Sequence, residues 1–333
     1  MSKSPIIAWS LCGLAMLSFG TSCAHRRPSE REMLSARELH AFLQTAQDER
    51  RFWLTRYNTE QGPVFTGSFR VPTDRFAVAD FIADRYGDAV CGIEVRLRGQ
   101  DTYSALIDTS AGASWIEYGL ARQTGVIPLG PTPLRRVAEH VNDDVPGVLG
   151  VASRVVIEPV HIDTALLHIP AAHGPLTALH RRTPRRFAPL VLGADFLRAF
   201  SFVQFNFPQR VVAFGTTTPY EADPDRLIGT APFHNRDGHL VLNGILNGVP
   251  TLFLIDSLGD YALATANETT GAASTDHVRQ VILGEVVWHN VPRQDLPTAG
   301  LGLPEYARIG RHLLDRFIVT IDHPNRRVVF ERP

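Results

Sequence analysis

The sequence predicts an all-β protein with short helices, laid out as two similar lobes about a pseudo-two-fold axis. Three observations carry that expectation. An apolar run that delivers an aspartate and then a hydroxyl residue occurs twice, as Ser104-Ala-Leu-Ile-Asp108-Thr109-Ser110-Ala111 and as Leu252-Phe-Leu-Ile-Asp256-Ser257-Leu258-Gly259. Each phrase is answered by a second shared block. The first is Val191-Leu192-Gly193-Ala-Asp-Phe-Leu197 with a strand through Pro208-Gln-Arg210, and the second is Arg308-Ile309-Gly310-Arg-His-Leu-Leu314 with a strand through Pro324-Asn-Arg326. The 23 Pro and 26 Gly fall between short apolar runs, which favours strands and turns. Two copies in the same order mean an internal duplication. With one carboxylate per copy, a dyad can bring the two face to face.

The elements follow in chain order. Residues 1–23 combine Lys3, an apolar stretch from Ile6 to Phe19 that is short for a membrane span, the small residues Gly20-Thr21-Ser22, and Cys23. This reads as an export signal, and its end resembles a bacterial lipobox in which Cys23 is lipidated. Residues 24–61 are a polar tether and an amphipathic helix, with apolar residues three and four apart from Ala36 to Trp53. The first lobe is expected over 62–215, a linker over 216–227 and the second lobe over 228–333. Ile93 to Gly99 and Leu240 to Gly248 each read as a strand running into a glycine turn. A short helix is expected over 113–123. Pro146-Gly147-Val-Leu-Gly150 is the candidate turn of a hairpin, and Arg181 to Arg186 a solvated basic loop.

Composition excludes several functions. The 333 residues carry a formal net charge of −1, so there is no electrostatic case for nucleic acid. No His-Glu-x-x-His, Cys-x-x-Cys or Gly-x-Ser-x-Gly pattern occurs. His161, Asp163 and His168 read as ordinary satisfied residues, not metal ligands, and neither a metal nor a cofactor is expected. Cys91 stands alone once Cys12 and Cys23 are set aside, and reads as a small buried hydrophobe.

Asp108-Thr109-Ser110-Ala111-Gly-Ala-Ser114-Trp115-Ile116 resembles the retropepsin pattern Asp-Thr-Gly-Ala-x-x-Ser-Phe-Ile, with Ser110 at the glycine position. The Gly193 and Gly310 blocks resemble the closing motif of bacterial retropepsin-like proteins, which forms the second arm of a ψ-shaped loop and a short helix. The resemblance covers residues 90–331. It implies two retropepsin- or pepsin-like β-barrel lobes. It implies that Asp108 and Asp256 are a catalytic dyad sharing one proton and activating a water at the floor of an open cleft. It further implies that Thr109 and Ser257 brace the two loops across the dyad and that Ser110, Leu258, Gly193 and Gly310 support them. One hairpin flap is expected to carry Pro146, Gly147 and Gly150.

The function so implied is a monomeric cell-envelope aspartic endopeptidase acting on polypeptides, periplasmic or held at the outer membrane by lipid on Cys23, its only membrane contact. The departures motivate an alternative. Leu258 puts a branched side chain where the family has glycine, which fits a catalytically decayed, lipid-anchored peptide-binding protein of the same fold. A first prediction concerns the anchor: Cys23→Ser should move the protein from the membrane fraction to the soluble fraction, read by fractionation of expressing cells.

Overall fold

The computed structural model describes residues 33–333 except Trp53, 60–61, 67–74, 84–88, 99–100, 139–140, 175–189, Asp237, 268–276 and 298–305. The signal-like segment with Cys23 and the basic loop 181–186 therefore lie outside the described residues. Residues 31–333 form one compact unit.

The chain enters through a single bridge from Met33 to Ala172. Helix α1 (Ala36–Leu43) is shorter than the periodicity suggests, and a 3₁₀ turn follows at Glu49–Phe52. Ser35 and Glu38 form a reciprocal capping box that fixes where α1 starts. Five strands come next: β1 (Thr55–Thr59), β2 (Gly62–Thr66), β3 (Phe76–Asp80), β4 (Ile82–Ala83) and β5 (Ala89–Val90).

The first copy then runs through β6 (Gly92–Leu97), β7 (Thr102–Ile107), β8 (Trp115–Ile116) and α2 (Tyr118–Gln123). It continues with β9 (Ile127–Ala138), β10 (Val141–Ala152), β11 (Val155–Ile157), β12 (Val160–Ile162) and β13 (Ala165–Pro170). It closes with β14 (Leu190–Leu192), α3 (Ala194–Leu197), β15 (Phe202–Asn206) and β16 (Val211–Gly215). The second copy runs through β17 (Leu227–Arg236), β18 (His239–Leu246), β19 (Val249–Ile255), β20 (Leu263–Asn267) and β21 (His277–Leu283). It ends with β22 (Val286–Pro297), β23 (Tyr306–Ile309), α4 (Arg311–Leu314), β24 (Ile318–Asp322) and β25 (Arg327–Glu331). The chain is thus mostly β with short helices.

The two copies repeat one pairing scheme. β14 lies parallel to β7 and antiparallel to β8, and β23 lies parallel to β19 and antiparallel to β20. Strands buried on both faces carry uninterrupted apolar residues, and Leu190, Val191 and Leu192 are fully buried. In the second copy the pairings β18–β19–β23–β20–β22–β21 return to β18, closing a six-stranded ring. In the first copy the corresponding strands belong to a nine-stranded sheet that ends on the long hairpin β9–β10.

The last strands of each copy share one sheet. β15 pairs antiparallel with β24, with Gln204 opposite Thr320. Gln204 and Thr320 each stand four residues before the turn prolines Pro208 and Pro324. Equivalent residues therefore face each other, which places a local two-fold between them. The turns match in chemistry. Asn206 accepts a hydrogen bond from the Gln209 N–H at 3.1 Å, and Asp322 accepts one from the Asn325 N–H at 3.3 Å. Arg210 and Arg326 then take left-handed φ of 59° and 50°.

The glycines of the shared block are set by close approach. A Cβ on Gly193 would lie 2.4 Å from the Ala113 carbonyl oxygen, and one on Gly310 would lie 2.4 Å from that of Tyr261. Neither has a positive φ, so the constraint is steric.

The hairpin turn differs from expectation. β9 and β10 flank 139–140, upstream of Pro146-Gly147, and Pro146, Gly147 and Gly150 all lie within β10. Pro146 has no N–H for the ladder, and the register shifts between Val145 and Gly147, where a proline is tolerated in a sheet. Gly150 is instead a packing residue: a Cβ there would lie 2.8 Å from both Ile169 and Val126 side chains. These turn-favouring residue types thus serve the strand and not the turn.

These contacts predict opposite outcomes for two like substitutions. Gly310→Ala should cost about 1–3 kcal/mol of unfolding free energy, because overpacking strains the neighbouring backbone. Gly119→Ala, in α2 with nothing within 4 Å of the new Cβ, should gain about 0.5 kcal/mol from helix propensity. Chemical denaturation of the two variants checks both.

Candidate functional site

β7 and β19 each end on an aspartate held by the inserted strand. The Asp108 N–H donates to the Leu192 carbonyl at 3.0 Å, and the Asp256 N–H donates to that of Ile309 at 2.8 Å. Thr109 and Ser257 then exchange hydrogen bonds. The Thr109 N–H donates to Ser257 Oγ and the Ser257 N–H to Thr109 Oγ1, both at 3.1 Å. Thr109 Oγ1 donates to the Ile255 carbonyl at 2.7 Å, and Ser257 Oγ to that of Ile107 at 2.6 Å. Each hydroxyl thus accepts from one copy's backbone and donates to the same copy, tying the two aspartate loops together.

Beyond this brace the two carboxylates have unlike surroundings. Asp108 Oδ1 accepts from the Ser110 N–H at 3.0 Å, the Ser110 hydroxyl at 2.7 Å and the Ala111 N–H at 3.1 Å. Its Oδ2 accepts no hydrogen bond from any described residue. Asp256 Oδ1 accepts from the Leu258 N–H at 3.1 Å, while Oδ2 accepts from the Tyr261 hydroxyl and has Arg308 Nη1 at 3.9 Å. Both aspartates are fully buried, and Arg308 is 1% exposed. The two carboxylates are thus enclosed, where the expectation had them at the floor of an open cleft. Leu258 is buried in the core cluster beside them.

Sequence reading missed Arg308 and Tyr261. The signal for Arg308 was present: the shared block sets it at the position of Val191, the centre of a buried strand. A charge at an apolar position of a repeat marks a changed environment. Tyr261 carries no such signal, because its reach to Asp256 depends on the fold of the loop.

The Gly193 and Gly310 loops lie against the aspartate loops. The Ala194 N–H donates to the Ala111 carbonyl and the Arg311 N–H to that of Gly259, both at 2.8 Å. In the first copy Ser114 also anchors the crossing, donating through Oγ to Asp195 at 2.6 Å and accepting from the Gly193 N–H at 2.9 Å. Burial raises the Asp195 carboxyl, and the Ser114 hydrogen bonds oppose that shift. In the second copy a backbone bond from the Gly310 N–H to the Ala262 carbonyl, 3.0 Å, replaces this side-chain anchor.

The β17–β18 turn crosses from the second copy onto the first aspartate loop. His239 Nδ1 is 2.8 Å from the Ser110 carbonyl oxygen, and Arg198 donates to the Gly238 carbonyl. Burial pushes His239 below the usual imidazole value. Burial likewise pushes His323, just after β24, down to about 4.

No group of three His, Cys, Asp or Glu side chains is placed to hold a metal among the described residues. His168 packs on Trp115 with ring centroids 4.9 Å apart, and Asp163 pairs with Arg154 at 3.2 Å. Cys91 is buried, and burial raises its thiol to about 12, which keeps it unreactive.

No family model and no curated protein matches the chain. Among solved structures, basic 7S globulin from soybean aligns with TM-score 0.49 at 10% identity, over 78% of this chain and 95% of that one. A protein described as edgp aligns with TM-score 0.45 at 12% identity, over the same shares. Conglutin gamma, a basic 7S globulin from lupine seeds, aligns with TM-score 0.45 at 11% identity, again over 78% and 95%. The expected membership of the bacterial retropepsin-like family is corrected: no family model matches the chain. The expected endopeptidase activity is corrected with it. At Asp256 the Tyr261 hydroxyl donates to Oδ2 and the buried Arg308 lies 3.9 Å from the same oxygen, surroundings that Asp108 does not share.

Proposed function

We propose that the chain is a non-catalytic polypeptide-binding protein on a two-lobe, pepsin-like frame whose aspartate pair has become structural. The engagement of Asp256 by Arg308 and Tyr261 carries this reading. Two carboxylates share a proton because two like charges in contact cannot both ionise, and a nearby cation favours the ionised form of the carboxylate beside it. The frame is supported by the matching ψ-like pairings of the two copies and by the Thr109–Ser257 exchange. Polypeptide as ligand is supported by the β9–β10 hairpin. β9 is the terminal strand of its sheet among the described residues; its start takes the Gln47 N–H at the Pro128 carbonyl, 3.0 Å, and the stretch beyond Pro133 is the part of this edge to which an extended peptide can add.

Immobilised protein should retain members of a degenerate peptide library and release them uncleaved between pH 3 and pH 8. Asp108→Asn should retain the same peptides as the wild type. Turnover by the wild type that vanishes in Asp108→Asn would overturn the reading, as would a library from which nothing is retained.

The structural role of the pair makes a separate prediction. Arg308→Leu strands the buried Asp256 carboxylate and should cost about 3–5 kcal/mol. Replacing both, as Arg308→Leu with Asp256→Leu, should recover most of that loss. Denaturant midpoints at constant slope give the comparison.

A further inference from the structure

The N-terminal segment is anchored beside β9 as far as Leu54. Helix α1 lies against β9, and its Phe42 ring meets the Tyr118 ring edge-on with centroids 5.4 Å apart. Gln47 then donates its N–H to the Pro128 carbonyl at 3.0 Å, and Leu54 is buried. The hairpin β1–β2 begins at the next residue, Thr55. Among the described residues β1 and β2 pair only with each other.

The hairpin register shows which backbone groups of β2 face outward. Thr59 lies opposite Gly62 across a two-residue connection, which makes theirs a hydrogen-bonded pair. By alternation Tyr57–Val64 and Thr55–Thr66 are hydrogen-bonded too, and Pro63 and Phe65 direct their backbone groups away from β1. The outer edge of β2 therefore offers the Pro63 carbonyl and the Phe65 N–H and carbonyl, while Pro63 has no N–H to give. Cα atoms of β2 and β9 approach within 8 Å, yet no ladder joins the two strands. Paired strands stand about 4.8 Å apart, and strands with one between them about twice that. The gap is thus too narrow for an added strand and close to that of a direct pair.

We propose that β2 is a lid strand for the outer edge of β9, pairing with it through Phe65 and the Pro63 carbonyl and swinging away when an extended peptide takes its place. The gating of peptide rests on the binding function proposed above; the closure of β2 on β9 does not. Both strands bring free backbone groups to the same gap, and an unpaired strand edge is a template for pairing. Pro63 sets the strength. A proline on an edge strand removes one outward donor without disturbing the pairing on its other side. The closed lid is therefore held by few bonds, and a peptide with a full set of donors competes with it for β9. The Gln47 anchor keeps the lid beside the edge while it is open.

Amide hydrogen exchange of the full chain, read at peptides covering 134–138 of β9, tests the lid through two substitutions of opposite effect. Pro63→Ala restores an outward N–H on β2 and should slow exchange there about twofold to tenfold, the worth of one net backbone hydrogen bond. Phe65→Pro removes the outward N–H and should speed exchange by a similar factor. Neither position belongs to a hydrogen-bonded pair of the β1–β2 ladder, and native circular dichroism of both variants is the control. Where one variant lacks the native spectrum, the direction of the other decides. Exchange that is the same in all three proteins, or that shifts the same way in both variants, overturns the lid. Retention of the degenerate peptide library on the same three proteins separates the two ideas. It should fall for Pro63→Ala and rise for Phe65→Pro, and retention that does not follow this order overturns the gating. If no protein retains peptide while exchange keeps its order, the binding function falls and the lid stands.

Discussion

The exchange of hydrogen bonds between Thr109 and Ser257 is the constraint on which the rest of the structure depends. Two buried hydroxyls, two N–H groups and two carbonyls satisfy one another across the join of the copies. Any relative shift of the copies would leave buried polar groups without partners, which is costly in an apolar interior. The brace fixes the ends of β7 and β19, and hence the seats of β14 and β23. The β15–β24 pairing repeats the same symmetry at a second place, with Gln204 opposite Thr320 and their side chains 3.1 Å apart.

On this symmetric frame the chemistry is asymmetric. The first copy keeps an aspartate served by its own loop and a side-chain anchor from Ser114 to Asp195. The second sets Arg308 where the first has Val191, adds the Tyr261 hydroxyl, and closes its crossing with backbone alone. A buried ion pair contributes little stability net of desolvation, but losing either partner is severe. Asp256 and Arg308 form such a pair, with Nη1 3.9 Å from Oδ2 and both side chains buried.

Much of the frame was legible in the chain. The twin phrases located both aspartates and both hydroxyls, and the shared glycine blocks located the strands beside them. The hairpin was legible as an insertion in the first copy, since residues 117–154 separate β8 from β11 while only 268–276 separate β20 from β21. Its turn was not, because Pro146 and Gly147 serve a register shift and Gly150 serves close packing. Both roles use the same residue types as a turn. The N-terminal helix was overextended because apolar spacing continues past Leu43, while the helix does not.

By itself the sequence determined the duplication, the β-rich character and the order of the strands that carry Asp108 and Asp256. These follow from local apolar pattern and from repetition, which are written along the chain. Only the tertiary structure decided what the aspartates face. Tyr261 meets Asp256 through the shape of one loop, Arg308 through a strand inserted from 52 residues downstream, and His239 reaches Ser110 from 129 residues away. The environment of a buried carboxylate is set by groups brought together across the fold, and no local pattern in the chain encodes their distance or their burial.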